Sequence, residues 1–220
     1  LHLCDRRQRQ MCIRDRGMKL ILRTLLCILG VLLSNMIAHA QLSTPQVLSS
    51  NMVLQQGQKI PVWGTAEPNE SILISFGKQR VKVRANASGR WMAELKPMAA
   101  NKNPQQMSIK GKRTSIVYDN IVVGEVWLCS GQSNMEMPVA GWGKVMNYEQ
   151  EVADADYPSI RLLQVKKTVA FSPQENVEMN MNGWQECSSA TVPEFSSVAY
   201  FYARKLWKEL NLSLIHISEP

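Results

Sequence analysis

The sequence predicts a small antiparallel β-sandwich followed by the beginning of an α/β domain built on a parallel sheet. Three observations carry that prediction. Apolar and polar residues alternate with a period of two across residues 42–119, a nearly continuous apolar run fills residues 121–129, and helical and strand-like patterns alternate after it.

In the first part, "ESILISF" places Ile72, Ile74 and Phe76 on one face, and "QRVKVRA" sets Val81, Val83 and Ala85 opposite Lys82 and Arg84. Successive side chains on a strand point to opposite sides, so this pattern describes half-buried strands. "AEPN", "FGK", "NASG" and "GK" separate the runs, while "RWMAEL", "QMSIKG" and "TSIVYD" continue them. Short strands at roughly 8 to 12 residue spacing indicate a sandwich. Trp63 and Trp91 fall inside strands and are read as core aromatics rather than a sugar platform.

After Asn120 the pattern changes. "IVVGEVWLCS" reads as a strand buried on both faces of a parallel sheet, which makes Trp127 a core residue. "KVMNYEQEVADAD" spaces Val145, Tyr148, Val152 and Ala155 as a helix would, and "PSIRLLQV" supplies another strand. Thr191 and Glu194 then stand at capping-box spacing, ahead of a helix whose apolar stripe is Val198, Phe201, Tyr202, Leu206 and Leu210. The division between the two parts is expected between residues 119 and 120. Roughly 90 residues cannot complete a doubly wound sheet, so the second domain, residues 120–212, is expected to be truncated.

Both ends are set apart from this body. From Met18 a basic start, an apolar stretch and Ala38-His39-Ala40 form a secretory signal peptide over residues 18–40, cleaved after Ala40. Its apolar core is too short for a membrane anchor. No cysteine follows the cleavage point closely enough for a lipid anchor, so a periplasmic or secreted location is expected. Residues 1–17 and 213–220 resemble translated sequencing-adapter read-through and are expected to be non-native. The formal net charge of +7 is concentrated outside the body: residues 41–212 hold 18 basic and 15 acidic groups, which argues against a nucleic-acid partner. Cys129 and Cys187 are the cysteines of that body; Cys129 is expected to be a buried free thiol, and the sequence cannot establish a bridge between them.

"CSGQSNMEMP" follows the apolar run directly, placing Ser133 just past the carboxyl end of a parallel strand. Open α/β sheets bind ligands at that edge. A turn there exposes a hydroxyl and aims backbone N–H groups at a developing oxyanion. Gln132 and Asn134 could orient a substrate or brace the turn. Glu136 is explained by the helix dipole and Lys144 by a solvated surface. Met135 stands where a Gly-x-Ser-x-Gly elbow has its second glycine, so the architecture is not that of the α/β-hydrolases.

Together with "SSNMVLQQGQKIPVWGTA" and "EFSSVAYFYARKLWKEL", the segment "VVGEVWLCSGQSNMEMPV" resembles the bacterial sialate O-acetylesterase family of SGNH-type hydrolases, over residues 42–211. The resemblance implies a β-sandwich followed by a flavodoxin-like (SGNH hydrolase) domain, present as an N-terminal fragment. It also implies a Ser133 nucleophile whose own N–H is one oxyanion donor, an acetylated sugar substrate, and neither metal nor organic cofactor. The catalytic Asp and His lie further along in that family, and residues 41–212 contain no histidine. The chain alone is therefore expected to be inactive. An esterase of acetylated plant polysaccharide and a non-catalytic sugar-binding protein are the alternatives.

Overall fold

The computed structural model describes residues 41–180 and 183–210 in full and residues 214–219 through their backbone. The leader and signal peptide expected over residues 1–40 lie outside the described residues.

Six strands come first: β1 (Val53–Gln55), β2 (Ile60–Thr65), β3 (Ser71–Phe76), β4 (Gln79–Arg84), β5 (Arg90–Leu95) and β6 (Asn101–Lys110). The long β7 (Ser115–Ser130) leads to α1 (Ser133–Glu136) and α2 (Tyr148–Ala153). Then follow β8 (Tyr157–Gln164), β9 (Gln185–Cys187), α3 (Ser197–Leu210) and β10 (Leu214–Glu219). One mixed sheet runs β4-β3-β6-β7-β10-β8-β9, with β1 also on β7, and β2 pairs with β5 in a separate ribbon. β3, β4 and β6 meet their neighbours antiparallel, whereas β1 and β10 run parallel to β7, and β8 runs parallel to β10.

The period-two reading holds where it was made. Ile72, Ile74 and Phe76 are buried, and β5 alternates exposed and buried residues along its whole length. A first core gathers these with Val62, Leu95, Met107, Ile109 and Ile121; a second gathers Val139, Ile160, Leu162, Phe195, Ala199 and Tyr200. The cores are not independent. Residues 40–220 form one compact unit, Leu163 and Trp184 from the second half enter the first core, and β7 crosses the expected division between residues 119 and 120.

β7 changes direction at a bulge. Between Met107↔Tyr118 and Gln105↔Ile121 the register shifts, so that β7 holds one residue more than β6. Asn120 there adopts a left-handed backbone with φ 59°. Asparagine tolerates that region better than most residues, and the extra residue bends the strand. The bend is held by a polar cluster. Asn120 donates through Nδ2 to Asn51 Oδ1 and to Glu186 Oε1, each at 2.8 Å, and accepts from Arg161 Nη2 at 3.1 Å. Arg161 also pairs with Glu186 at 3.2 Å, with its own side chain only 3% exposed. Burial pulls the Arg161 pKa down, and the Glu186 carboxylate opposes that pull.

Several expectations are corrected. The apolar run is buried only from Ile121 to Gly124; Trp127 is 38% exposed, although its ring meets that of Tyr202 edge-to-face, and Leu128 is 64% exposed. Trp91 is buried as expected, but Trp63 is half-buried. The helix read through Val145 and Ala155 shrinks to the six residues of α2, because Asn147 before it is left-handed at φ 58°. α3 is rotated from its expected face. It buries Ser197, Ala199, Tyr200 and Ala203, and leaves Val198, Tyr202 and Leu210 exposed. The buried face sets one large residue, Tyr200, among the small Ser197, Ala199 and Ala203. Thr191 caps a different turn, accepting from Ser188 N at 2.9 Å. Residues 214–219 form β10 between β7 and β8, a placement that does not test the expectation of a non-native tail.

Cys129 and Cys187 are both free, and burial pushes the Cys187 thiol up to about 12. No helix among the described residues is long and apolar enough to cross a membrane.

Arg161→Met keeps an unbranched apolar stem but removes every bond the guanidinium makes to Asn51, Asn120 and Glu186. The carboxylate left behind, Glu186, is 45% exposed and can hydrate, so the loss is that of hydrogen bonds to a charged group, about 2 kcal/mol. The variant should therefore lower the urea midpoint by the equivalent of that loss, and a change below about 0.5 kcal/mol would show that the cluster does not hold the bend.

Candidate functional site

The residues around Ser133 are placed by the end of β7 and by the start of α3. β7 ends at Ser130, Gly131 and Gln132 turn the chain, and Ser133 opens the four-residue α1. Gln132 is extended, at φ −107° and ψ −154°. Its carbonyl accepts the N–H groups of Met135 at 2.8 Å and Glu136 at 3.1 Å, and the Ser133 carbonyl accepts that of Met137 at 3.0 Å. A side chain at Gly131 would bring its Cβ within 3.1 Å of the Met135 Cβ, so a bare residue suits this turn.

The turn is fastened to the second core. Met135 packs against that core, and its sulfur accepts from Ser196 Oγ at 3.5 Å. The Met137 carbonyl accepts from Ser197 N at 2.9 Å, Val139 N donates to Phe195 O at 3.1 Å, and Ala140 N donates to Pro193 O at 2.8 Å. Ser196 also accepts from Ala199 N at 3.3 Å, acting as the N-cap of α3. Met135, Ser196 and Ser197 were missed as site-supporting residues in the sequence. The one local signal was the "SS" immediately before the helical run.

Ser133, Gln132 and Asn134 are all exposed. No hydrogen bond ties their side chains, or the Ser133 and Asn134 N–H groups, to another described residue. Free N–H groups are what the first turn of a helix leaves. The hydroxyl and these donors therefore share one solvent-facing turn at the carboxyl edge of the sheet. Glu136 is not turned to Ser133: it pairs with Lys167 at 3.2 Å, an ion pair open to solvent and worth little energetically. Lys144 is directed elsewhere too, donating to Tyr148 Oη at 3.3 Å with its ammonium 4.4 Å from the centre of that ring. Among the described residues, no three or more His, Cys, Asp or Glu are grouped so as to hold a metal ion. A cleft of about 540 Å³ lies over the β2–β5 ribbon, away from this turn.

No family model matches the chain. Over 181 residues it is 29% identical to the sialate O-acetylesterase of Pongo abelii and 28% identical to that of Homo sapiens, each match covering 74% of this chain and 34% of the relative. The chain thus spans about a third of the length of these curated relatives. A solved structure of a novel carbohydrate acetylesterase from Xanthomonas citri aligns with a TM-score of 0.76 and 31% identity, covering 80% of this chain and 40% of that one.

Ser196→Ala removes both the cap of α3 and the bond to Met135. Loss of a serine N-cap typically costs about 1 kcal/mol. Thermal unfolding of the variant should show a loss of that size, and an unchanged melting temperature would mean that the fastening of the turn does not depend on Ser196.

Proposed function

We propose that this chain, which belongs to the sialate O-acetylesterase family, carries the nucleophile of a carbohydrate O-acetylesterase in Ser133. The observation that supports the reading is an exposed, unbonded serine at the head of a braced turn, beyond the carboxyl end of a strand with parallel neighbours. Ser133 Oγ attacks the carbonyl carbon of the acetyl ester and gives up its proton to a base. The Ser133 N–H stabilises the oxyanion as one of several donors, and such a donor contributes about 2.7–4 kcal/mol in related acyl transfers. The C–O bond to the sugar breaks, the sugar oxygen takes the proton, and an acetyl-serine remains. Water then attacks that ester, releasing acetate and restoring the hydroxyl. Gln132 and Asn134 flank the hydroxyl and position the substrate.

A serine at its ordinary pKa is a weak nucleophile without a base beside it. Residues 41–212 offer no histidine. His216 lies on β10 at the register of Trp127, three residues before the end of β7, which puts its backbone roughly 10 Å below the edge that carries the turn. The chain alone is accordingly read as inactive. The relatives named sialate O-acetylesterase favour an O-acetylated sialic acid as substrate. The likeness to a carbohydrate acetylesterase favours an acetylated carbohydrate in general, and an acetylated plant polysaccharide is the second reading. The signal-peptide reading of residues 18–40 places the reaction in the periplasm or outside the cell.

Acetate release should be measured on O-acetylated sialic acid and on acetylated xylan. The proteins compared are this chain and a chimera in which residues 42–211 replace the matched part of the Xanthomonas citri esterase. The chain alone should not exceed its Ser133→Ala variant. The chimera should turn over, and Ser133→Ala within it should lower kcat by at least ~10³-fold. An active chimera that keeps its rate without the Ser133 hydroxyl would overturn the assignment.

A further inference from the structure

The β2–β5 ribbon has an inner and an outer face. Ile60↔Leu95 and Val62↔Ala93 are inward pairs that enter the first core, as does Trp91 opposite Gly64, whereas Trp63↔Met92 and Thr65↔Arg90 alternate with them on the other face, Trp63 still packing in part against that core. Met92 is 62% exposed and Trp63 half-buried, so an indole and a thioether lie side by side on the outer surface.

Two segments distant in sequence wall this surface in. On one side Ser43 is held to Thr65 by a pair of backbone bonds, at 2.9 and 3.0 Å, and by a hydroxyl contact of 2.7 Å. Gly64 permits that approach, since a Cβ there would lie 1.9 Å from the Ser43 carbonyl oxygen. On the other side Glu175 is ion-paired with Arg90, and Asn176 Oδ1 accepts from Gln46 N at 3.0 Å. The open cleft between them, of about 540 Å³, falls within the ~300–1,000 Å³ usual for small-molecule sites.

We propose that this cleft binds a neutral pyranose unit of an oligosaccharide, at a site separate from Ser133. A pyranose has a face of C–H groups ringed by hydroxyls. The C–H face carries partial positive charge and suits the electron-rich indole of Trp63, with Met92 beside it. The hydroxyls need donors and acceptors around that platform. Asn86 keeps its amide N–H groups free, because its Oδ1 alone serves the turn, accepting from Ser88 N, Ser88 Oγ and Arg90 N. Thr65, Asn176 and the Arg90–Glu175 pair add further groups at the rim. Trp91, which also lines the cleft, has a buried indole N–H without a partner. The charge of the cleft decides the class of sugar. Its lining residues include one cation, Arg90, and one anion, Glu175, and they neutralise each other. A carboxylated sugar would find no spare cation there, whereas a neutral one loses nothing.

The proposal does not depend on the role of Ser133, and its test keeps the two apart. The full chain is titrated with cellohexaose, xylohexaose and mannohexaose, and with N-acetylneuraminic acid as the anionic comparison, by calorimetry and by indole fluorescence. At least one neutral hexasaccharide should bind saturably with a change in fluorescence. Binding should weaken tenfold or more in Trp63→Ala and in Met92→Arg, and should be unchanged in Ser133→Ala. Met92 is exposed, so its variant decides the matter if Trp63→Ala fails to fold. The proposal is overturned by saturable binding to none of the three neutral sugars, by preference for the acid, or by binding that survives Met92→Arg and disappears in Ser133→Ala.

Discussion

A bend in one strand, pinned by a buried guanidinium, organises the molecule. β7 begins as the antiparallel partner of β6 and ends with β10 beside it in parallel, and the change follows the extra residue at Asn120. A left-handed asparagine inside a strand has a conformational cost and leaves ladder groups unpaired. Arg161 and Glu186 compensate by satisfying its side chain from β8 and β9, while Asn51, itself left-handed at φ 67°, closes the cluster from the segment before β1. The strand directions on both sides of the bend are thereby tied to four side chains.

The turn at the far end of β7 is held by other contacts. In the role proposed for Ser133, a backbone already fixed would spare the cost of orienting the hydroxyl when a substrate binds. The turn around Ser133 has no buried side chain within α1. Its rigidity comes instead from the backbone bonds of Met137, Val139 and Ala140 to the segment leading into α3, and from Met135 in the second core. The exposed hydroxyl and the anchored backbone are complementary parts of one design. Residues 132–134 face solvent, while the residues that follow them carry the load of packing.

The β-rich half was legible in the sequence because each strand has one face in a core. Ile72, Ile74 and Phe76 declare that face by alternation alone. Where the burial partner is distant, the same logic misled. Trp127 and Leu128 read as interior because they continue an apolar run, yet a run of residues does not specify what covers it. In α3 the large residues suggested one stripe, but the buried side bears Ala199, Tyr200 and Ala203. Size-weighted patterning overlooks a face on which one tyrosine packs among small residues.

Read alone, the sequence determined the local terms: that the alternating segments before Asp119 and the apolar runs after it are strands, that one such run ends at a polar turn, and that Ser133 stands in that turn. These follow from backbone periodicity and turn chemistry, which act over a few residues. The tertiary structure alone decided which side chains meet. The Asn51, Asn120, Arg161 and Glu186 cluster joins four separate parts of the chain, and the cleft over Trp63 joins β2 and β5 to Ser43 and Glu175. Hydrogen bonds and ion pairs act only within a few ångströms, and a residue's own neighbours in sequence carry no record of the partner that folding brings to it.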